Sequence, residues 1–578
     1  MYFLTGERYT PISWAEFARG ARRLASYLIS EGVAEQEHVA IWAANRPEWH
    51  LADIAVLSAR CRPVPVYLTL SSDQGAYVLG HSGARIAFVE DGDLRDRVLQ
   101  ARAALPALQR IVVMSGVDEP SADGFVIPWR AALETGEASL ESSAREADRR
   151  AASVTLDDVA TLIYTSGTTG PPKAVLLTHG NVAAANHALD EFVHTTPEER
   201  VMSYLPLAHI AERFSSEFRS YAKGHAVWFC DGIANLGKRL RQVRPTMFFG
   251  VPRVWEKMAA QVQHGVDALP QPRRQLARWA IAAGRKEYAR RLRSADTHRP
   301  GIVYRIADRL VLRSLRGLLG FDDARILVSG AAPLAQEVIA FFGAIGLELL
   351  EEYGQTEDTG TTSMNRPAGA RLGTVGQPFR GVEVRIADDG EILVRGDVVF
   401  RGYYKEDQAT AETLVDGWLL TGDVGEIDAD GYLRITDRKK DLIITAGGKN
   451  ISPSVIEGAL MQHKLIGHAV AIGDRRPFVA ALLTLDPEEA LAYGAAHGLG
   501  SELAAVARDP GVRQQIDAHV AVVNRSLSHV EQVKQWALLP ADFTVGDELT
   551  PTLKVKRKIV NEKYAADIER LYTKREPA

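Results

Sequence analysis

Tyr164-Thr165-Ser166-Gly167-Thr168-Thr169-Gly170-Pro171-Pro172-Lys173 places four Ser/Thr hydroxyls and two glycines ahead of one lysine. The glycines permit positive φ, so the backbone can curl into a concave set of N–H donors. The hydroxyls add further donors and Lys173 a compact positive charge. Such a loop suits phosphate. Residues 159–164 before it and 174–178 after it are apolar runs that read as strands, which predicts a hairpin with the loop at its tip. It is not a Walker loop, because Pro172 precedes the lysine and Ala174 follows it where that pattern needs Gly-Lys-Ser/Thr opening a helix. Alone, the stretch also fits an ordinary Gly/Ser/Thr/Pro surface loop. Its neighbours decide between the two.

Working outward, residues 12–90 alternate helical and extended patterns, with helical spacing over 14–31 and 49–59 and a strand over 39–42, which is α/β wiring. Residues 115–152 are acidic, Ser/Gly-bearing and poor in apolar periodicity, and read as a surface excursion. Further on, Ile326-Leu327-Val328 runs into Ser329-Gly330-Ala331-Ala332-Pro333-Leu334, a small-residue turn that opens a helix and lets a flat ring approach the backbone. Residues 382–437 read as short strands joined by Asp/Gly turns, an antiparallel or barrel-like unit. The charged Asp437-Arg438-Lys439-Lys440-Asp441 then breaks the pattern and marks a domain hinge.

A chain of 578 residues exceeds one compact core and predicts two or more domains. With 46% apolar residues and a net charge of -5, the composition is globular, and no apolar run approaches a membrane span. The first residues lack the basic and apolar regions of a signal peptide, so the expected address is cytoplasmic. Two cysteines, Cys61 and Cys230, give neither a disulfide framework nor a zinc-ligand set and read as small buried apolar residues. Charge is concentrated between Arg273 and Arg316, where 13 Lys/Arg face only Glu287, Asp296 and Asp308. Interleaved Leu276, Trp279, Ile281, Tyr288 and Leu292 suggest amphipathic helices that meet an anionic membrane peripherally or an acidic partner, the alternative being a solvated helix face. Nucleic acid is not expected, since no recognition motif accompanies the basic run.

Three more clusters suit a nucleotide and a divalent cation. Tyr353-Gly354-Gln355-Thr356-Glu357 offers a ring, a hydroxyl and a carboxylate for Mg²⁺, a hard cation that prefers oxygen ligands. Thr421-Gly422-Asp423 puts a carboxylate behind a turn, where it can accept from ribose hydroxyls. Residues 550–558, Thr-Pro-Thr-Leu-Lys-Val-Lys-Arg-Lys, present lysines on a strand-like segment. Each cluster is weak singly, and their order is specific. From the phosphate loop through Ser-Gly-Ala-Ala-Pro, Tyr-Gly-Gln-Thr-Glu, Thr-Gly-Asp and Asp-Arg-Lys-Lys-Asp to the terminal lysine, nearly the whole chain resembles the adenylate-forming superfamily of acyl-CoA synthetases, luciferases and adenylation domains. Leu205-Pro206-Leu207-Ala208-His209-Ile210-Ala211-Glu212-Arg213, Ala446-Gly447-Gly448-Lys449-Asn450 and residues 549–554 look like its bacterial long-chain fatty acyl-CoA synthetase group.

The resemblance implies an α/β fold. Residues 1–437 would form a large N-terminal domain of stacked α/β sheets plus a distorted antiparallel β-barrel, with a basic helical insert at about 271–318. Residues 438–578 would form a smaller, mobile α+β domain carrying the adenylation lysine. It implies ATP, Mg²⁺ and coenzyme A. Thr165, Ser166, Gly167, Thr168, Thr169, Gly170 and Lys173 would hold the β- and γ-phosphates, with Thr165 and Glu357 near the metal. Gly330, Ala331, Ala332, Glu352, Tyr353, Gly354, Gln355 and Thr356 would frame adenine and the α-phosphate, while Asp423 and Arg438 would hold the ribose. His209 takes the aromatic position beside the carboxylate, Lys440 the hinge, Gly447, Gly448 and Lys449 the pantetheine path, and Lys554 the bridge between carboxylate and α-phosphate.

Departures from the family pattern are Ala174, where glycine is common, Ile444, where many relatives have lysine, and an abrupt start without the upstream helix common in relatives. Glu212 and Arg213 fit equally an intrahelical surface pair, and Trp255 reads as a wall residue near the acyl tunnel. The implied reaction activates a long-chain fatty acid as acyl-AMP, releases pyrophosphate, and transfers the acyl group to CoA. No protein nucleophile is required, in keeping with the lack of a Ser/His/Asp or Cys/His signature. Adenylation of another acid, transfer to a carrier protein, and a non-catalytic acyl-binding scaffold remain alternatives. The end of the chain at Ala578 without a carrier domain favours free CoA, and the full charge set disfavours the scaffold.

Overall fold

A computed structural model of the chain describes residues 1–165, 171–293, 299–367, 369–444, 450–500, 502–550 and 554–573. The architecture is α/β in its larger part, followed by an antiparallel unit and a smaller α+β unit. The strands Arg62–Pro65, His38–Trp42, Ile86–Val89, Arg110–Val113 and Val126–Pro128 form one parallel sheet in that order. His38–Trp42 is buried along its whole length, as an interior parallel strand covered by helices on both faces must be. The helix Trp14–Ser30 begins at a capping box, in which the Ser13 hydroxyl accepts from Glu16 N–H and the Glu16 carboxylate accepts from Ser13 N–H.

A nine-stranded sheet carries most of the site. Its central strands Ala226–Phe229, Arg200–Ser203, Met247–Gly250, Ile326–Ser329 and Leu349–Tyr353 run parallel, so their C-terminal ends open on one edge, where ligands of such sheets bind. The strands Val159–Thr165 and Lys173–Thr178 pair antiparallel with Thr165 opposite Lys173, the hairpin expected around the phosphate loop. Residues 166–170, at its tip, lie outside the described residues. The antiparallel unit contains Glu383–Ile386, Glu391–Arg395, Trp418–Ile427 and Leu433–Arg438, as the turn spacing predicts. Beyond it, Ile466–Ile472, Val479–Leu485 and Val533–Leu538 form a three-stranded sheet with a core of its own, centred on Ile456, Leu483, Val512 and Ile516.

Three readings need correction. Residues 115–152 are not a mere surface excursion: they form the edge strand Val126–Pro128 and the helices Trp129–Ala138 and Leu140–Ala152. The first helix packs so closely on Trp14–Ser30 that a Cβ at Gly136 would lie 2.0 Å from the Arg23 carbonyl oxygen. Its buried positions are Ala132 and Gly136, with Trp129 and Leu133 packed beside them, a pattern that weak periodicity conceals. Of residues 550–558, those described, 550 and 554–558, are not strand-like, since Leu549 and Val555 make an isolated bridge and a helix, Arg557–Lys563, starts at Arg557; residues 551–553 lie outside the described residues. In the basic insert, the helix Arg273–Arg293 turns Tyr288 inward and leaves Leu276 and Trp279 exposed. A Cβ at Gly284 would lie 1.8 Å from the Ala344 carbonyl oxygen, so this helix meets the helix Gln336–Ala344 backbone to backbone.

Candidate active site

At the base of the phosphate hairpin, the Lys173 ammonium lies 5.1 Å above the ring centroid of Tyr403, a cation–π contact. Tyr403 arrives on the short strand Gly402–Tyr403, which extends the hairpin through a Val175 pairing. Its hydroxyl donates to Glu357 Oε1 at 2.8 Å. Burial raises the Glu357 carboxyl above its ordinary range, and the Tyr403 hydrogen bond opposes that rise. One tyrosine thus joins the phosphate-loop lysine to the carboxylate expected near the metal.

The turn bearing Glu357 is held from below by Asp358, a fully buried residue whose carboxylate accepts from Gln355 N–H at 2.8 Å and from the Thr362 hydroxyl at 2.5 Å. Burial pushes Asp358 up to about 7. A Cβ at Gly354 would fall 2.3 Å from the Gly360 carbonyl carbon, so the chain folds back on itself too tightly for any side chain there. Gln355 Nε2 reaches the Thr421 carbonyl at 3.4 Å and Thr356 is buried. Burial, then the charge of Asp358, pushes Glu352 up to about 8.

Tyr353 ends the strand Leu349–Tyr353 and donates its hydroxyl to Asp423 Oδ2 at 2.7 Å. The other Asp423 oxygen faces Arg438 Nε at 3.2 Å, since the two residues sit opposite each other in adjacent strands. Across the neighbouring turn, a Cβ at Gly330 would be 2.9 Å from the Phe249 ring and 3.3 Å from the Glu352 carbonyl oxygen. Ala331 has φ +71°, a left-handed conformation that non-glycine residues hold only where surrounding packing imposes it, and Ala332 is exposed on the same turn.

Lys554 comes to this cluster from the far end of the chain. Burial and the charge of Arg438 push its ammonium down to about 8, against the pull of Asp423 and Glu357. The same lysine acts on His209, whose ring burial and the Lys554 charge hold near 3, so the imidazole is neutral. His209 Nδ1 accepts from Ala211 N–H at 3.2 Å, which leaves the ring proton on Nε2. Lys554, Asp423, Arg438, Glu357 and His209 are therefore brought to one place. Lys440 lies on an exposed turn directly after Lys439, whose ammonium is fixed to Asp389 at 2.6 Å and Glu391 at 2.8 Å. Ser166, Gly167, Thr168, Thr169, Gly170, Gly447, Gly448 and Lys449 lie outside the described residues.

Glu212 and Arg213 are not a surface pair. Glu212 is 2% exposed and accepts from Leu205 N–H at 3.1 Å, fastening the turn that presents His209. Fully buried Arg213 pairs with Asp53 at 2.5 Å and Glu217 at 2.7 Å, within a stretch of π-helix, Arg213–Phe218. Two carboxylates share one guanidinium, and burial raises the carboxyls of both Asp53 and Glu217, which disfavours charge on both at once. Trp255 is fully buried in the core, donating Nε1–H to the Gly250 carbonyl at 3.0 Å. Sequence reasoning missed Tyr403 and Asp358. The Arg401-Gly402-Tyr403-Tyr404 stretch held the only signal for the first, and the acidic step from Glu357 to Asp358 the signal for the second.

Comparison with known proteins adds an independent line. The sequence profile of the AMP-binding enzyme family matches residues 2–404, and that of the AMP-binding enzyme C-terminal domain matches residues 440–576. The chain is 39% identical over 575 residues to the long-chain-fatty-acid–CoA ligase FadD15 of Mycobacterium bovis, covering 98% of this chain and 93% of that protein. It is 32% identical to the long-chain-fatty-acid–CoA ligase ACSBG2 of Xenopus laevis, covering 98% and 80%. Among solved structures, the anthranilate CoA ligase AuaEII in complex with anthranoyl-AMP superimposes with a TM-score of 0.74 at 18% identity, covering 98% and 94%. A fatty acyl CoA synthetase of Mycobacterium tuberculosis gives 0.59 at 20% identity, covering 97% and 94%.

Proposed function

The chain belongs to the AMP-binding enzyme family, and from that premise we propose that it is an ATP-dependent long-chain fatty acid:CoA ligase. The fatty carboxylate oxygen bonds to the α-phosphorus of ATP as the α–β phosphoanhydride breaks, giving acyl-adenylate and pyrophosphate. The CoA sulfur then bonds to the acyl carbon as the acyl–phosphate bond breaks, and AMP leaves. The observation that carries this reading is the meeting of Lys554 with Arg438, Asp423 and Glu357, which the reaction needs and a simple nucleotide sensor does not.

A carboxylate and a triphosphate repel each other, so bringing them into line requires fixed positive charge at the point of attack. Lys554 is the group assigned to that task, with Lys173 screening the departing pyrophosphate and the His209 Nε2–H available as a neutral donor beside the carboxylate. Asp423, held by Tyr353 and Arg438, is a preset acceptor for ribose hydroxyls. The hard oxygen donors Thr165 and Glu357 fit Mg²⁺, which would neutralise charge on the phosphates. Residues 1–437 and 438–578 are assigned as the two domains, with Lys440 as the pivot, since Lys439 is tied to the large domain through Asp389 and Glu391.

No described helix is long and apolar enough to cross a membrane. Peripheral contact with an anionic bilayer through the region 273–316 rests on a different face from the one expected. Exposed Ile302 (72%), Val303, Ile306 and Leu310, with Leu318 just beyond, form an apolar stripe flanked by exposed Arg305, Arg309 and Arg313. Cosedimentation with anionic but not zwitterionic vesicles, abolished by Ile306→Ser with Leu310→Ser, is expected. Binding that ignores lipid charge would refute it. The catalytic reading is tested by incubation with ATP, Mg²⁺ and a panel of carboxylic acids, with products followed by mass spectrometry in the presence and absence of CoA. Acyl-AMP and pyrophosphate are expected without CoA, and acyl-CoA and AMP with it. Neither acyl-AMP nor pyrophosphate across the panel would overturn the reading.

A further inference from the structure

Lys554 reaches the site only because the C-terminal unit sits where it does, and one ion pair outside the site joins that unit to the large domain at a second point. Arg253 occupies the first turn of the helix Pro252–Asp267, directly after the strand Met247–Gly250 that ends at the site edge. Its guanidinium contacts the Asp486 carboxylate at 2.5 Å, with the arginine side chain 28% exposed and the aspartate 8%. Partial burial of both partners, with two-point anchoring of one, makes such a pair worth more than a surface contact.

Asp486 is rigidly mounted. Its other oxygen caps the helix Pro487–His497 by accepting from Glu488 and Glu489 N–H, and its own N–H is bound to the Leu465 carbonyl. It directly follows the strand Val479–Leu485, whose Leu482 packs in one cluster with Leu549 and Val560. Leu549 bridges to Val555, and Thr550 closes a double hydrogen bond with the Lys554 backbone at 2.8 and 3.0 Å. A continuous packed path therefore runs from Asp486 to Lys554, and Arg253 holds its near end.

We propose that Arg253 is a positioning residue for the adenylation step: its pairing with Asp486 holds the C-terminal unit where Lys554 enters the site, and the pair parts when that unit turns for thioester formation. This rests on the two-step reaction proposed above. In such an arrangement Arg253 acts on one half-reaction and not on the other.

The test compares adenylate formation from fatty acid and ATP, followed as pyrophosphate release, with thioester formation from supplied acyl-adenylate and CoA. Arg253→Ala and Asp486→Asn, the latter retaining an oxygen for the helix cap, should each slow adenylate formation by about five- to tenfold, the coupling expected of one such pair. Thioester formation should be unchanged or faster. The double variant should be no slower than either single one, and Arg253→Lys should recover part of the loss. Equal loss in both half-reactions, or multiplicative losses in the double variant, would overturn the proposal. Should Arg253→Ala lower the melting temperature markedly, Asp486→Asn decides by the same criteria. Failure of the unaltered enzyme to form acyl-adenylate would instead overturn the functional reading beneath it.

Discussion

Lys554 offers a quantitative test of the chemistry through pH. Burial and Arg438 lower its ammonium from an ordinary 10.5 to about 8, which corresponds to about 3 kcal/mol of disfavour for the charged form in the free site. The sign follows directly: below about 8 the free enzyme carries the ammonium to which the proposed function assigns adenylation, and above it the group is lost. At pH 9 only about one-tenth remains protonated, so kcat/KM for adenylate formation, which reports the free enzyme, should fall about tenfold per pH unit beyond about 8. Binding of an anionic nucleotide and carboxylate favours the charged form, so the alkaline limb of kcat should lie at least about one unit higher. Initial rates of pyrophosphate release from about pH 6 to about pH 10 supply both profiles. Glu352 titrates in the same range, and Glu352→Gln should leave the limb in place if the lysine causes it. Lys554→Arg should remove the limb, since a guanidinium stays charged throughout. A kcat/KM that stays flat to pH 10, or a limb that survives in Lys554→Arg, would refute the reasoning.

Other outcomes are equally specific. Lys554→Ala should cripple adenylate formation while sparing thioester formation from supplied acyl-adenylate, and equal loss of both would count against its assigned role. Tyr403→Phe removes the hydroxyl that holds Glu357 at 2.8 Å, and should lower the adenylation rate about tenfold and raise the Mg²⁺ requirement while leaving the melting temperature nearly unchanged. Gly354→Ala forces a methyl to within 2.3 Å of the Gly360 backbone, and thermal unfolding should show a loss of more than about 2 kcal/mol. A melting temperature equal to that of the unaltered enzyme would mean the turn opens without cost.

The α/β wiring and the phosphate hairpin were legible because they are local: apolar runs with period two or four, broken by glycine and proline, specify strands and helices within a few residues. The register that sets Thr165 against Lys173 was not legible, since the pairing carries a shift between Val159 and Thr161. The position of Tyr403 did not follow, because its relation to Lys173 and Glu357 exists only once Gly402 pairs with Leu176, over two hundred residues away. Arg213 was misread for a related reason. A charged residue reads as exposed unless its partners are known, and one of them, Asp53, lies 160 positions earlier. The helices within 115–152 escaped notice because their buried positions include Gly136, Ser143 and Arg150, which an apolar period does not pick out.

The contact at Gly284 bears on what can be removed from this protein. The helix it touches, Gln336–Ala344, opens directly from the turn holding Gly330 and Ala331, and a Cβ at Gly343 would in turn strike the Tyr288 ring at 2.6 Å. The basic helix is thus a buttress to the wall of the site rather than a detachable ornament on its surface. A shortened version lacking residues 273–293 would uncover the Gly343–Ala344 face of that helix, where Tyr288 and Gly284 now pack. Trimming for a smaller enzyme would therefore have to stop short of it, or supply another helix with glycine at the same crossing point.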